Sequence, residues 1–373
     1  MKGNSNIITV FLILVIIMLA GIVGGFGYTI YNEIMGDGEI TVKFEGDTGF
    51  PVIEYNASSK NETNIDNEMF SGVEGNTNTT IPVTNKYRHL YNQLDADAKK
   101  IYDLLYENKE NLKTGTYTVK FGDAFSNLLT QDNGEDKLQR KYQSAIEALI
   151  YENPDLFYLD ATSMYINIEK ITRITGVKYN VYINNGSKTS YLAEGFYSKE
   201  DVNNAIVQVE AVKNNIIAKT VGQSDYEKMR IVHDYLIDNI EYDTTLLENN
   251  IYDIYGALVL KKCVCEGYAK AFQYIIDGLG IDNVITIGTG TNSKNETENH
   301  AWNYVKLDNN WYAVDVTWDD PILIGGGKLS NKSRYQYFMK GSEEFNENHI
   351  PSGKFTDNGQ LFNYPILSSY NYK

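Results

Sequence analysis

Between Gly3 and Asn32 the chain carries no charged residue, and Ile7 to Phe26 is an almost unbroken apolar run of about 20 residues. At roughly 1.5 Å of rise per residue, a helix of that length crosses the hydrocarbon layer of a membrane, about 30 Å thick. No other stretch constrains the chain as strongly, because backbone amides in lipid are satisfied only within a helix or a closed barrel. A cleaved signal peptide is the rival reading. Its apolar region is usually about 7 to 15 residues long, and no convincing small-x-small cleavage site is present here. An uncleaved anchor over residues 1–32 is expected. Lys2 precedes the run, whereas Glu33, Asp37 and Glu39 follow it. That asymmetry puts the short N-terminus in the cytoplasm and the remainder outside: a single-pass cell-membrane protein with its C-terminal domain extracytoplasmic.

Residues 33–84 are rich in Asn, Thr, Gly, Ser and acidic side chains. They read as a flexible linker with one short strand near Ile40 to Phe44. Asn-x-Ser/Thr triplets at Asn56, Asn61 and Asn78 are what chance gives in such a composition. The whole chain has 33 Lys+Arg against 49 Asp+Glu. A phosphate-binding groove would have to be built against that field, so nucleic acid is excluded as a partner. The two cysteines, Cys263 and Cys265, are one residue apart and form no disulfide framework.

Ordered sequence begins near Lys86. Leu94, Ala98, Ile101, Leu104 and Leu105 recur at helical spacing, and a second amphipathic stretch runs from about Lys137 to Tyr151, where Asn153-Pro154-Asp155 breaks it. Met164, Ile166 and Ile168 alternate with polar neighbours. Val177 to Ile183 leads into the turn Asn184-Asn185-Gly186 and on toward Tyr191 and Leu192, a small meander. Ser198 with Asp201, and Ser224 with Glu227, have capping-box spacing and predict two further helices. These signals divide the ordered part into an α+β region over 85–198 and a second domain over 199–373. His89, His233 and His349 read as structural histidines.

The chemistry concentrates in the second domain. Cys265 opens a segment in which Tyr268, Phe272, Ile275, Ile276 and Leu279 share a face, with Gly280 where a helix C-cap belongs. A thiol at a helix N-terminus meets unpaired amides and the positive end of the dipole, which favour the thiolate and can also hold an oxyanion. By itself such a cysteine is more often a small apolar residue in a core. Partners follow in the chain. Asn299 to Leu307 alternates as a strand with His300, Trp302 and Tyr304 on one face, Asp308-Asn309-Asn310 is a turn signal, and Trp311 to Trp318 reads as a second strand carrying Asp315. A thiol needs a base to move its proton, and the imidazole needs a carboxylate to fix its tautomer. All three tryptophans lie between 302 and 318, where they could keep water from a reaction centre.

Register poses a difficulty. With Asn309-Asn310 as the hairpin loop, Tyr304 faces Asp315, and His300 then lies four residues away, about 14 Å at 3.4 Å per residue. Either a bulge or a different loop shifts the pairing, or the three residues do not meet.

Tyr255-Gly256-Ala257-Leu258, Cys263-Val264-Cys265-Glu266-Gly267-Tyr268-Ala269, His300-Ala301-Trp302-Asn303 and Trp311-Tyr312-Ala313-Val314-Asp315-Val316-Thr317-Trp318-Asp319-Asp320-Pro321 together resemble the bacterial branch of the transglutaminase-like superfamily. The match is close over about 225–320 and looser on either side. The resemblance implies an α+β, papain-like core with the thiol helix packed on an antiparallel sheet. It also implies Cys265 as nucleophile, His300 as general base and acid, and Asp315 as orienting carboxylate, with no cofactor. Relatives frequently have a small residue such as glycine where this chain has Cys263. A bond from Cys263 to Cys265 would be strained and would silence the site, and Cys263, Cys265 and His300 lack a fourth metal ligand. The expected activity is acyl transfer or hydrolysis at protein or cell-wall peptide amides. The alternative is a catalytically silent cell-surface module that binds peptides on the same fold.

Overall fold

The computed structural model describes residues 40–43, 54–57, 87–173, 176–320 and 331–373. The expected membrane anchor lies outside the described residues. Among those described, no helix is long and apolar enough to cross a membrane. The chain divides into two compact units.

The first unit contains a five-stranded sheet of Ile40–Lys43 (β1), Glu54–Ala57 (β2), Val119–Gly122 (β3), Tyr165–Arg173 (β4) and Gly176–Asn184 (β5), in the order β2-β1-β4-β5-β3. β4 and β5 form the expected hairpin, Tyr165 opposite Asn184 through Arg173 opposite Gly176. Two findings correct the sequence reading. β1 is the short strand expected near Ile40 to Phe44, but the same stretch also contributes β2, and β1 pairs with β4 over Ile40–Lys43. The third strand of the meander does not form. β5 takes β3 as its outer neighbour instead, a segment more than fifty residues earlier in the chain, and local periodicity carries no signal for such a pairing.

The second unit holds the site. Its helices are Ala96–Glu107 (α1), most of Gly134–Glu152 (α2, which begins in the first unit), Lys199–Ala218 (α3), Asp225–Asn239 (α4) and Cys265–Gly278 (α5). Asp95 caps α1, its carboxylate accepting from the amides of Asp97 and Ala98. Ser198 Oγ accepts from the Asp201 amide at 3.2 Å, while Asp201 accepts from the Tyr197 amide, closing the capping box. Ser224 Oγ accepts from the Glu227 amide at 3.3 Å and caps α4. Each cap is worth about 1 kcal/mol.

Glu241–Tyr242 (β6) and Lys262–Cys263 (β7) form a short parallel pair. Asn283–Thr291 (β8), Thr297–Leu307 (β9), Asn310–Val314 (β10) and His349–Pro351 (β11) make an antiparallel sheet in the order β10-β9-β8-β11. Helix α5 lies against β8 and β9. Ala269 packs with Ile285 and Ala301, and Tyr151, Cys265 and Ile287 close over that cluster. Asn303 Nδ2 donates to the Ala269 carbonyl at 3.0 Å. Small side chains on both elements let the helix come close, and the amide bridge fixes its position along the strand.

One buried carboxyl in this unit makes stability depend on pH. Glu147 on α2 is 4% exposed. Its Oε1 accepts from Gln143 Nε2 at 3.0 Å and from Thr356 Oγ1. Burial pushes the carboxyl up to about 7, against the effect of those two donors. A folded value above the unfolded one means that the folded state binds this proton more tightly, so stability falls as pH rises from about 4.5 through about 7. Glu147→Gln should flatten that slope, leaving the part that Asp253, Asp319 and Asp320 contribute, and make the variant more stable than wild type at pH 8, by up to roughly 3 kcal/mol. Denaturant melts between pH 5 and 8 test this, and curves that fall in parallel would contradict it.

Candidate active site

The site is assembled where α5, β9 and the end of β10 meet. Val264, extended, is the N-cap residue of α5, and Cys265 is the first helical residue. Gly267 permits this close entry: a Cβ there would sit 2.5 Å from Cys263 Cβ and 2.8 Å from the Ile251 carbonyl oxygen. At the far end Gly280, with φ of +72°, ends the helix as the sequence predicts. Both cysteines are free thiols, Cys263 buried and Cys265 partly exposed. Burial pushes the Cys263 thiol well up, and the neighbouring Cys265 adds to that.

The hairpin register resolves the expected 14 Å separation. Asp308 and Asn309, with φ of 50° and 63°, form the two-residue turn, one position earlier than the sequence reading placed it. Asn310 therefore pairs with Leu307, and Ala313 rather than Asp315 faces Tyr304. No bulge interrupts the ladder of the two strands. β10 ends at Val314, opposite Asn303, and Asp315 follows directly. It is thereby diagonal to His300, a separation of about 7 Å along the strand that two side chains can bridge. His300 Nε2 and Asp315 Oδ2 are 2.7 Å apart. Cys265 also acts on the His300 ring, adding to its affinity for a proton. With Nε2 held by the carboxylate, Nδ1 is the nitrogen left for the sulfur.

His300 is 4% and Asp315 1% exposed, so the electrostatics are those of a buried pair. Burial opposes a charged ring, but the Asp315 carboxylate and the hydrogen bonds to Asp315 and Cys265 outweigh it and raise the proton affinity of His300. Burial likewise opposes the Asp315 carboxylate, yet His300 and His349 hold it well below the usual range. Asp315 Oδ1 accepts from the Trp318 amide at 3.1 Å. The Trp318 ring stacks on His300 at 5.2 Å, and Trp302 lies on another side at 5.8 Å. Gly290 makes room for this, since a Cβ there would be 2.7 Å from the Trp318 ring.

Sequence reasoning missed the parts played by three neighbours, His349, Asp319 and Tyr242. His349 Nε2 lies 3.0 Å from the same Asp315 Oδ2, and the ligand atoms of His300, Asp315 and His349 fall within 4.8 Å of one another. That is metal-ligand spacing, but hydrogen bonds between these atoms already account for it. His233, buried as its structural reading requires, is paired with Asp319 at 3.0 Å. Asp319 Oδ1 accepts from the Tyr337 amide, and the Tyr337 carbonyl accepts from the Asp315 amide at 3.0 Å. The turn after Asp315 is thus tied to α4. Burial, and then charge on Cys265 and Glu298, push the Tyr242 phenol up. None of the three sits at a spacing that would flag it.

Residues 212–316 match the family described as the transglutaminase-like superfamily. Kyphoscoliosis peptidase of Mus musculus is 27% identical over 183 residues, 45% of this chain and 27% of that protein. Its Homo sapiens counterpart is 26% identical over 159 residues, 39% of this chain and 23% of that protein. The chain therefore spans about a quarter of the length of the curated relatives it matches. A crystal structure of a TGase aligns over 54% of this chain and 56% of that one, at 16% identity and a TM-score of 0.31.

Proposed function

The chain is a transglutaminase-like superfamily protein, and on that premise we propose that it is a membrane-anchored, extracytoplasmic thiol enzyme acting on protein or cell-wall peptide amides. The observation that carries the reading is the 2.7 Å bond from His300 to Asp315 beside a thiol at a helix N-terminus. In the proposed reaction His300 takes the Cys265 proton, and the sulfur attacks the amide carbonyl carbon. The first amides of α5 face the oxyanion that develops. As the C–N bond breaks, His300 passes its proton to the departing nitrogen, which leaves as ammonia or as an amine. The acyl group remains on Cys265 as a thioester. A primary amine or water then gives a proton to His300 and attacks the thioester carbon, and the C–S bond breaks to restore the thiol. Asp315 stays ionised throughout, holding the ring with Nε2 toward itself.

An amine acceptor makes this a cross-linking reaction, and water makes it deamidation or peptide cleavage. The curated relatives are named as peptidases, which supports the hydrolytic branch. Trp302 and Trp318 beside His300 favour a centre shielded from solvent.

Glutamine-containing and cell-wall-type peptides, supplied with a labelled primary amine, should yield amine incorporation, ammonia or cleaved peptide. Cys265→Ala should abolish all three, and His300→Ala should lower them by about 10²-fold or more. Peptide that binds without any adduct on Cys265 would leave a silent binding module. The anchor follows from the uncharged segment after Lys2: protease added to intact cells should remove the domain beyond Asn32. Full-length chain recovered from the soluble cytoplasmic fraction would contradict it.

A further inference from the structure

The mechanism above uses one histidine, yet two converge on the buried carboxylate. His349 lies on β11, paired with Gly290 of β8, while the Thr291 amide donates to the Asn348 carbonyl at 2.8 Å. Its ring is completely buried. Phe345 stacks on it at 4.0 Å and 19°, Trp318 lies at 4.4 Å, and Trp302 meets it edge-on at 5.1 Å. Both nitrogens have polar partners: Nδ1 is 2.7 Å from Asn348 Oδ1, and Nε2 is 3.0 Å from Asp315 Oδ2. A ring that only filled volume among these aromatics would need neither.

We propose that His349 is a positioning residue for the His300–Asp315 pair, donating from Nε2 to the same carboxylate oxygen that holds His300 and so setting how much of the Asp315 charge His300 receives. Oδ2 accepts from both imidazoles and Oδ1 from the Trp318 amide. Three donors from three parts of the chain leave the carboxylate one orientation. They also divide its charge, because each hydrogen bond to an anion draws on the same electron density. The titratable groups facing the pair are Cys265 on α5, Tyr337 and Asp319. β8 contributes Gly288, paired with His300, and Gly290, paired with His349, and the segment Ser342–Phe345 contributes Phe345.

Without the His349 donor, Asp315 concentrates its charge on His300, and His300 keeps its proton to higher pH. The inference rests on the thiol-enzyme reading, but its readout is protonation rather than turnover. A protein with no turnover whose His300 titration still moves would lose that reading and keep this one.

The chain has four histidines, so their ring nitrogens can be assigned by ¹⁵N NMR of single variants. His349→Phe retains an aromatic ring and deletes the donor. It should raise the midpoint of His300 deprotonation by about one pH unit, the scale of one hydrogen bond to a charged group. His349→Gln, whose amide can still donate to Oδ2, should restore a midpoint near that of wild type. An unmoved midpoint in a folded His349→Phe protein would overturn the proposal. Where that variant does not fold, the wild-type ring decides: a proton on His349 Nε2 is expected, and a ring protonated on Nδ1 alone would refute the assignment.

Discussion

The site depends on one buried anion. Asp315 is almost completely removed from water, where an unpaired carboxylate would be too costly to keep ionised. It is sustained by the His300 and His349 rings and by the Trp318 amide. Each donor arrives from a different element: β9, β11 and the turn beyond β10. The carboxylate therefore organises these strands around itself as much as the sheet presents the carboxylate. Removing it would leave two buried imidazoles without their acceptor, a structural loss as well as a chemical one.

That anion acts on the thiol at one remove. His300 is tethered through Nε2, which fixes its tautomer and leaves the other nitrogen toward Cys265. Cys265 is held in place independently, by the Gly267 approach to Cys263, by the Ala269–Ala301 packing and by the Asn303 bridge to α5. Helix and sheet thus hold their reacting groups through separate contacts, so the alignment of sulfur and imidazole belongs to the fold rather than to a flexible loop. Beyond Asp315, the turn is anchored to α4 by His233 and Asp319 and to Tyr337 by backbone bonds. The polar network continues well past the three residues that perform the proposed chemistry.

What the sequence makes legible is local. The caps at Ser198 and Ser224, the apolar face of α5 ended by Gly280, and the β4–β5 hairpin all follow from spacing and turn chemistry within a few residues. Cys265, His300 and Asp315 can be named from four short motifs. Their meeting cannot, because it turns on whether Asn309 closes the hairpin with Asp308 or with Asn310. Those side-chain types tolerate a positive φ about equally, and a one-position change in the turn moves every facing pair by two residues. Non-local partners are harder still. The joining of β3 to β5 and of β1 to β4, and the arrival of His349 at a carboxylate 34 residues away, leave no trace in periodicity, since each is decided by tertiary pairing.

The central claim is that Cys265 is the activated thiol and that His300 activates it. Mass-resolved labelling with iodoacetamide at mildly acidic pH, on wild type, Cys263→Ala and His300→Ala, tests this most directly. Cys265 should be alkylated in preference to the buried Cys263, whose thiol is pushed up by its surroundings. Cys263→Ala should leave the rate on Cys265 nearly unchanged, and His300→Ala should slow it by about tenfold or more. Equal labelling of the two cysteines, or a Cys265 rate indifferent to His300, would contradict the account.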